Sequence, residues 1–163
     1  MEQYRYAVGH SGHSLCFNGD IHSVEAYEKL LETFPSTEKV MIGRGILQNP
    51  GLVGELRACC SQTDSDILKQ FDGSVQKKTQ SDMRKKLDKE TLRAFHDDIC
   101  DGYKSVMSGD RNTLFKMKEL WSYMSKSFTN PEKYLKKIKK TERLAEYYVI
   151  VDALFREQEL KER

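Results

Sequence analysis

Ser14-Leu15-Cys16-Phe17-Asn18-Gly19-Asp20-Ile21 and Lys39-Val40-Met41-Ile42-Gly43-Arg44-Gly45 are the two stretches from which the fold is read. In each, a short apolar run (SLCF at 14–17, KVMI at 39–42) passes straight into a polar or glycine-rich turn, NGD or GRG. Runs without the polar–apolar alternation of a half-wet antiparallel strand have the pattern of buried parallel strands. Between them Ser23 is a natural N-cap. Val24, Tyr27, Leu30, Leu31 and Phe34 then recur at helical spacing until Pro35 stops them. After the second run, Asn49-Pro50 offers a cap with proline at the first helical position, and Leu52, Val53 and Leu56 come next as an apolar side. The order strand, helix, strand, helix predicts two βα units. Two units alone leave open edges and a bare sheet face. The expectation is therefore a portion of a larger sheet, or self-association through the exposed one.

The rest of the chain differs in kind. Seven of the ten glycines fall within residues 1–57, which carry 5 Lys/Arg against 7 Asp/Glu; residues 58–163 carry 22 against 18. The composition shift predicts a first domain over 1–60, a connector over 61–87 and a helical domain over 88–163. In the connector, Ile67, Leu68 and Phe71 suit a turn or two of helix, and the polar stretch after them suits a mobile link. Asp88 then starts a helix with Leu92, Phe95, Ile99, Tyr103 and Val106 on one side, ended by Ser108-Gly109-Asp110. Leu114, Met117, Trp121, Met124 and Phe128 form the clearest stripe in the chain. Asn130-Pro131 opens a third helix with Tyr134, Leu135 and Ile138 inward. A fourth, from about Thr141, uses Leu144, Tyr147, Tyr148, Val151, Leu154 and Phe155. Four helices joined by short turns predict a four-helix bundle. The fold expected is thus α/β plus all-α, mostly helical, with two βα units ahead of the bundle.

Composition sets limits on function. No stretch approaches the ~20 apolar residues of a membrane span, and MEQYRYAVGH at the N-terminus lacks a signal-peptide core. Cys16, Cys59, Cys60 and Cys100 show no CxxC pairing, so free thiols in a reducing cytoplasm are expected. His10, His13 and His22 lie near Cys16 and Asp20, the thiolate and carboxylate company that a metal site would want at fixed geometry. Trp121 belongs to the apolar stripe and reads as core. Tyr147 and Tyr148 cannot both face inward, which leaves one at the rim.

Two groups of residues can carry chemistry. Asn18-Gly19-Asp20 or Gly43-Arg44-Gly45 alone reads as an ordinary turn. Together, about 25 residues apart and each closing a strand, they match successive βα units. In a (β/α)8 barrel the loops after the last two strands commonly build a phosphate site from main-chain N–H groups, to which Arg44 would add a charge-assisted hydrogen bond. The second group is the outer face of the third helix, with Lys133, Lys136 and Lys140, flanked by Lys137 and Lys139 and succeeded by Arg143. Such a face either is simply solvated or neutralises phosphates in a salt-dependent way. Arg111, Lys116 and Lys118 are weaker members of the same group, and Lys77, Lys78, Arg84, Lys85 and Lys86 would form a basic arm.

At this point the residues carry a resemblance. Leu15–Asn49 (LCFNGDI, a helix, then VMIGRGILQN) resembles the last two βα units of the tRNA-dihydrouridine synthases, a flavin-dependent family with a (β/α)8 barrel and, after it, a helical domain. Phe95-His96-Asp97, the SGDRN turn at 108–112 and FKMKELWSY at 115–123 resemble that helical domain. The resemblance implies that the two βα units are a partial (β/α)8 barrel. It places the stretch with His10, His13 and His22 at a helix end and strand entry, so no metal is expected. It implies that Asn18, Gly19, Asp20, Gly43 and Arg44 contact the phosphate and ribityl chain of FMN. It implies reduction of a tRNA uridine to dihydrouridine, with NADPH as reductant, and a helical domain that cradles tRNA through the basic face. The chain departs from the family pattern in lacking the catalytic cysteine in its Asn-x-Gly-Cys-Pro setting, the active-site lysine and the His-x-Arg motif. It is therefore expected to be the C-terminal part of a synthase, with no catalytic residue, weak or no flavin binding and no activity by itself. The alternative is a non-catalytic RNA- or protein-binding helical module with a vestigial half-barrel.

Overall fold

A computed structural model describes residues 1–60 and 87–161. The readings of Ile67, Leu68 and Phe71 and of the basic arm lie outside the described residues. The chain divides into two units: residues 1–46 with 51–60, and residues 47–50 with 87–161. Among the described residues it is mostly helical, with one two-stranded sheet.

In the first unit α1 (Glu2–His10) precedes β1 (Cys16–Asn18), α2 (Val24–Thr33), β2 (Lys39–Met41), the single-turn α3 (Arg44–Gln48) and α4 (Leu52–Cys60). The strands pair in parallel, with Cys16 opposite Lys39, Phe17 opposite Val40 and Asn18 opposite Met41. Ser23 caps α2 as expected, its Oγ accepting the Ala26 N–H at 3.3 Å. The core gathers Phe17, Ile21, Leu30, Phe34, Leu52 and Leu56. Tyr4 joins it from α1, edge-on to Phe17 and Phe34 at 5.0 and 5.2 Å between ring centroids.

Three expectations are corrected by this unit. The strands are parallel but not buried on both faces: Phe17 is buried, Val40 half-buried, and Cys16, Asn18, Lys39 and Met41 are exposed. Successive side chains alternate between faces, and the unit's core lies on the Phe17 face alone. Pro50 does not open α4, which begins two residues later at Leu52. Arg44 and Gly45 are not a bare turn but the start of α3.

The second unit carries α5 (Lys89–Val106), α6 (Asp110–Met124), a 3-10 turn at Ser125–Ser127, α7 (Glu132–Lys140) and α8 (Leu144–Glu157). Asp88 caps α5, its carboxylate accepting the Thr91 N–H at 2.7 Å. The α6 stripe is fully realised, with Leu114, Met117, Trp121, Met124 and Phe128 all buried. Tyr134 and Ile138 from α7, and Tyr147, Val151, Leu154 and Phe155 from α8, complete one core with them. After α8 the chain pairs back, Thr129 N–H to Glu159 O at 2.9 Å and Lys161 N–H to Ser127 O at 2.8 Å. On α5 the buried line is Leu92, His96 and Cys100, with Phe95, Ile99 and Tyr103 half-buried beside it. Val106, expected inward, is 77% exposed in the last turn of the helix.

Candidate functional site

Parallel pairing decides where the two turns go. Because Asn18 lies opposite Met41, both strands end at the same edge, and the turns after them open on the same side. Crevices outside the carboxyl ends of parallel strands are the usual ligand positions in α/β folds. Asn18, Gly19, Asp20, Ile21 and His22 on one side and Gly43, Arg44 and Gly45 on the other line one cleft of about 570 Å3. All five residues expected at the phosphate site, Asn18, Gly19, Asp20, Gly43 and Arg44, are among them.

Backbone proximity shapes this cleft. A Cβ on buried Gly45 would stand 2.1 Å from the Ile21 carbonyl oxygen, so α3 and the Asp20–His22 segment approach as closely as they do only because residue 45 lacks a side chain. The Arg44 guanidinium donates to Asp20 Oδ1 across the opening. The same oxygen lies 3.6 Å from His22 Nε2. His22 Nδ1 is buried and has no hydrogen-bond partner among the described residues. A buried polar atom left unsatisfied is costly. The cleft lining itself, with Arg44 and His22 on it, fits a ligand rich in oxygen. The donors of Arg44 and His22 suit a phosphate, and the Asp20 carboxylate suits hydroxyls. The lining offers little for an aromatic ring, since Ile21 is its one large apolar residue. The described residues thus fit the phosphate and sugar-alcohol end of a flavin nucleotide and not its ring system.

In the second unit the expected basic residues are surface groups. Lys133, Lys136, Lys137 and Lys140 are exposed on α7, whose Tyr134 and Ile138 face the core, and Arg143 is exposed just before α8. The Tyr134 hydroxyl donates to Glu157, which pins the inward side of α7. None of these five cations makes a salt bridge among the described residues. Arg111 is exposed; Lys116 is half-buried and 3.5 Å from Glu119. Lys118 is a tether rather than a free charge, donating to the Thr141 carbonyl at 2.6 Å.

Sequence reasoning did not find the buried polar chain beneath that surface. Trp121 Nε1–H donates to Tyr147 Oη at 2.7 Å, so the Tyr147 proton goes to His96 Nε2 at 2.5 Å. His96 must then carry its proton on Nδ1, which donates to Asp97 at 2.7 Å. Arg93 holds Asp97 through Nε at 2.8 and 3.0 Å and reaches Asp152 at 2.6 Å. Burial pushes His96 below the ordinary imidazole range despite Asp97. Burial would raise Asp97, but hydrogen bonds from Arg93 and His96 outweigh it and hold the carboxyl low. Burial also lifts Tyr147 far above the ordinary phenol range and Tyr148 to about 12, so both stay neutral. Tyr148 is the half-buried one of the pair, 3.3 Å from Cys100 Sγ. The chain runs from buried Trp121 through Tyr147 and His96 out to Asp97, Arg93 and Asp152 at the surface. Among the described residues no group of His, Cys, Asp or Glu is arranged to hold a metal ion. His10 instead donates to the Tyr6 carbonyl at 2.8 Å and stacks on the Tyr6 ring.

The model of the family described as dihydrouridine synthase (Dus) matches residues 11–147, a span that includes both turns of the cleft and the helices through the start of α8. The chain belongs to the dihydrouridine synthase family. That family acts on tRNA and is generally flavin-dependent. No curated protein and no solved structure matches the chain. Among the described residues no helix is long and apolar enough to cross a membrane.

Proposed function

We propose that these residues are the C-terminal part of an FMN-dependent tRNA-dihydrouridine synthase, with two βα units of its barrel and a four-helix tRNA-binding bundle. The single observation that carries this reading is the shared cleft: NGD and GRG, 25 residues apart, line one opening together with His22. In this reading Arg44 and His22 hold the FMN phosphate, Asp20 and Asn18 take the ribityl hydroxyls, and Gly43 and Gly45 let the main chain come close. FMN held there would supply hydride chemistry for the uracil ring, with NADPH as its reductant. The residues of this chain bind and orient, and the proton donor and ring pocket belong to barrel segments that its sequence does not contain. Thiols at Cys16 and Cys100 that form no disulfide among the described residues agree with a reducing, cytoplasmic setting.

On the second unit, Lys133, Lys136, Lys137, Lys140 and Arg143 neutralise tRNA phosphates, helped by Arg111 and Lys116. Two titrations test the reading. FMN should bind weakly but measurably more tightly than riboflavin, and Arg44→Ala should erase that difference; a stoichiometric flavin band near about 450 nm in the purified chain would contradict the half-site. An unmodified tRNA transcript should bind with an affinity that falls steeply with salt, and joint charge reversal at Lys136 and Lys140 should weaken it. Salt-dependent tRNA binding without any preference for FMN over riboflavin would return the chain to a non-catalytic RNA-binding module.

A further inference from the structure

We propose that a cleft on the outer side of α6, bounded by the turn between α7 and α8, is a base-binding site: one unstacked tRNA nucleotide rests on the Phe115 ring with its phosphate at Arg111. The proposal deepens the tRNA reading of the basic face and rests on it. The cleft measures about 580 Å3 and is lined by Arg111, Asn112, Phe115, Lys118, Thr141 and Glu142.

One exposed apolar side chain needs no explanation. Phe115 is distinguished by its company. It is 69% exposed, whereas Phe17, Phe34, Phe95, Phe128 and Phe155 are buried or half-buried. Arg111 stands four residues earlier on the same helical face, where side chains meet. The Lys116 ammonium lies 5.9 Å from the centroid of the Phe115 ring. Lys118 is fixed at the cleft by its bond to the Thr141 carbonyl. Acceptors line the same cleft. Asn112 commits its amide N–H to the Ser108 carbonyl at 2.9 Å, which leaves its carbonyl oxygen to accept, and Glu142 adds a carboxylate.

This mixture selects the occupant. A bare anion would meet the Glu142 carboxylate. An apolar peptide would strip water from Arg111, Lys118 and Glu142 without replacing their hydrogen bonds. A splayed nucleotide offers a π-face for the ring, base N–H donors for Asn112 and Glu142, and a phosphate for Arg111, as single-stranded sites do when they combine stacking platforms with cations. Continuity points the same way. Thr141 and Glu142 come after Lys140 and precede Arg143, so a strand tracking the lysines of α7 reaches the cleft directly.

The full chain is titrated with an unmodified tRNA transcript and with single-stranded and duplex RNAs of equal length. Phe115→Ala should weaken tRNA binding about tenfold and leave the salt slope unchanged, because the lost contact is stacking. Arg111→Ala should instead reduce that slope by about one. Phe115→Trp should restore affinity, and its added emission should be quenched by RNA. The single strand should bind more tightly than the duplex. Wild-type affinity in Phe115→Ala, an unquenched Phe115→Trp in the bound state, or a preference for duplex would each overturn the base site. If Phe115→Ala is silent while reversal at Lys136 and Lys140 weakens binding, the base site falls and the tRNA reading stands. If the wild-type chain shows no salt-dependent tRNA binding, the parent reading falls and takes the base site with it.

Discussion

The two units place their candidate groups by different means. The first has, among the described residues, a core of six buried apolar residues beside a two-stranded sheet, and its cleft is shaped by how close backbone segments approach at Gly45 and by where two parallel strands end. The second has, among the described residues, thirteen buried core residues and a polar chain from Trp121 to Asp152, and it carries its cations on the outside of that packing. Substitutions should therefore act through main-chain geometry in the first unit and through side-chain packing in the second. The largest effect comes from the second half of that contrast. Trp121 is fully buried and also donates the proton that fixes the orientation of the Tyr147 hydroxyl. Trp121→Ala should cost about 4 kcal/mol in urea unfolding monitored by far-UV circular dichroism, since a cavity and a broken hydrogen-bond chain add. A loss under about 1 kcal/mol would mean that the packing is loose enough to collapse, and the contrast would fail.

The first half is tested by a pair of glycines only two residues apart. A Cβ at Gly45 meets the Ile21 carbonyl at 2.1 Å, and the obstacle is backbone, which moves only with the cleft wall. A Cβ at Gly43 meets nothing within 4 Å. Gly45→Ala should destabilise by about 2 kcal/mol, in the range of overpacking, and should widen the cleft. Gly43→Ala should stay within about 0.5 kcal/mol. Equal effects at the two positions would show that backbone approach does not shape the site.

The polar chain gives the second unit a pH dependence with a definite sign. The folded state holds His96 below its unfolded value, so it takes up fewer protons than the unfolded chain as the pH falls through about 6.5. Stability from this group is present above that pH and is lost progressively below it. Asp97 is also held low, but its contribution persists until the ordinary carboxylate range near about pH 4, so the window between about 5 and 6.5 belongs to His96. The urea midpoint should drop between about pH 7.5 and about pH 5.5, and His96→Gln should flatten that drop. A midpoint that rises on acidification would require a charged His96 in the folded state.

How much of this could be read from the chain depended on whether the cause was local. The α6 stripe was legible because five large apolar residues repeat at spacings of three and four, and nothing competes with burying them. The meeting of NGD and GRG was legible because parallel strands in successive βα units must end at the same edge. His96 was not, although its neighbours Phe95 and Asp97 stood out with it. A buried histidine is acceptable only with partners for both nitrogens, and the partner of Nε2 is 51 residues away on α8. That displaced the buried line from the Phe95–Val106 series to Leu92, His96 and Cys100. The exposure of Phe115 was not legible, because it sits one residue off the stripe, where helical periodicity expects a polar side chain. The exposed sheet face was not legible, because an apolar run is the mark of a strand covered on both faces, and β1 and β2 are covered on one.

The smallest effect separates a latch from a binding site. Arg44 and Asp20 are joined across the first unit's cleft, but their side chains are 57% and 60% exposed. Exposed pairs of this kind contribute between about 0 and 1 kcal/mol, because water competes for both charges and two side chains must be held still. Asp20→Asn should therefore shift the stability to unfolding by less than about 0.5 kcal/mol. It should nonetheless change how strongly Arg44 holds an anion, because an incoming phosphate no longer displaces a carboxylate, and inorganic phosphate should bind more tightly at low ionic strength. A latch would do the reverse, losing more than about 1 kcal/mol of stability with no gain in phosphate binding. In that case Arg44 would be committed to holding the two turns together, and shape and charge in this unit would serve the fold before any ligand.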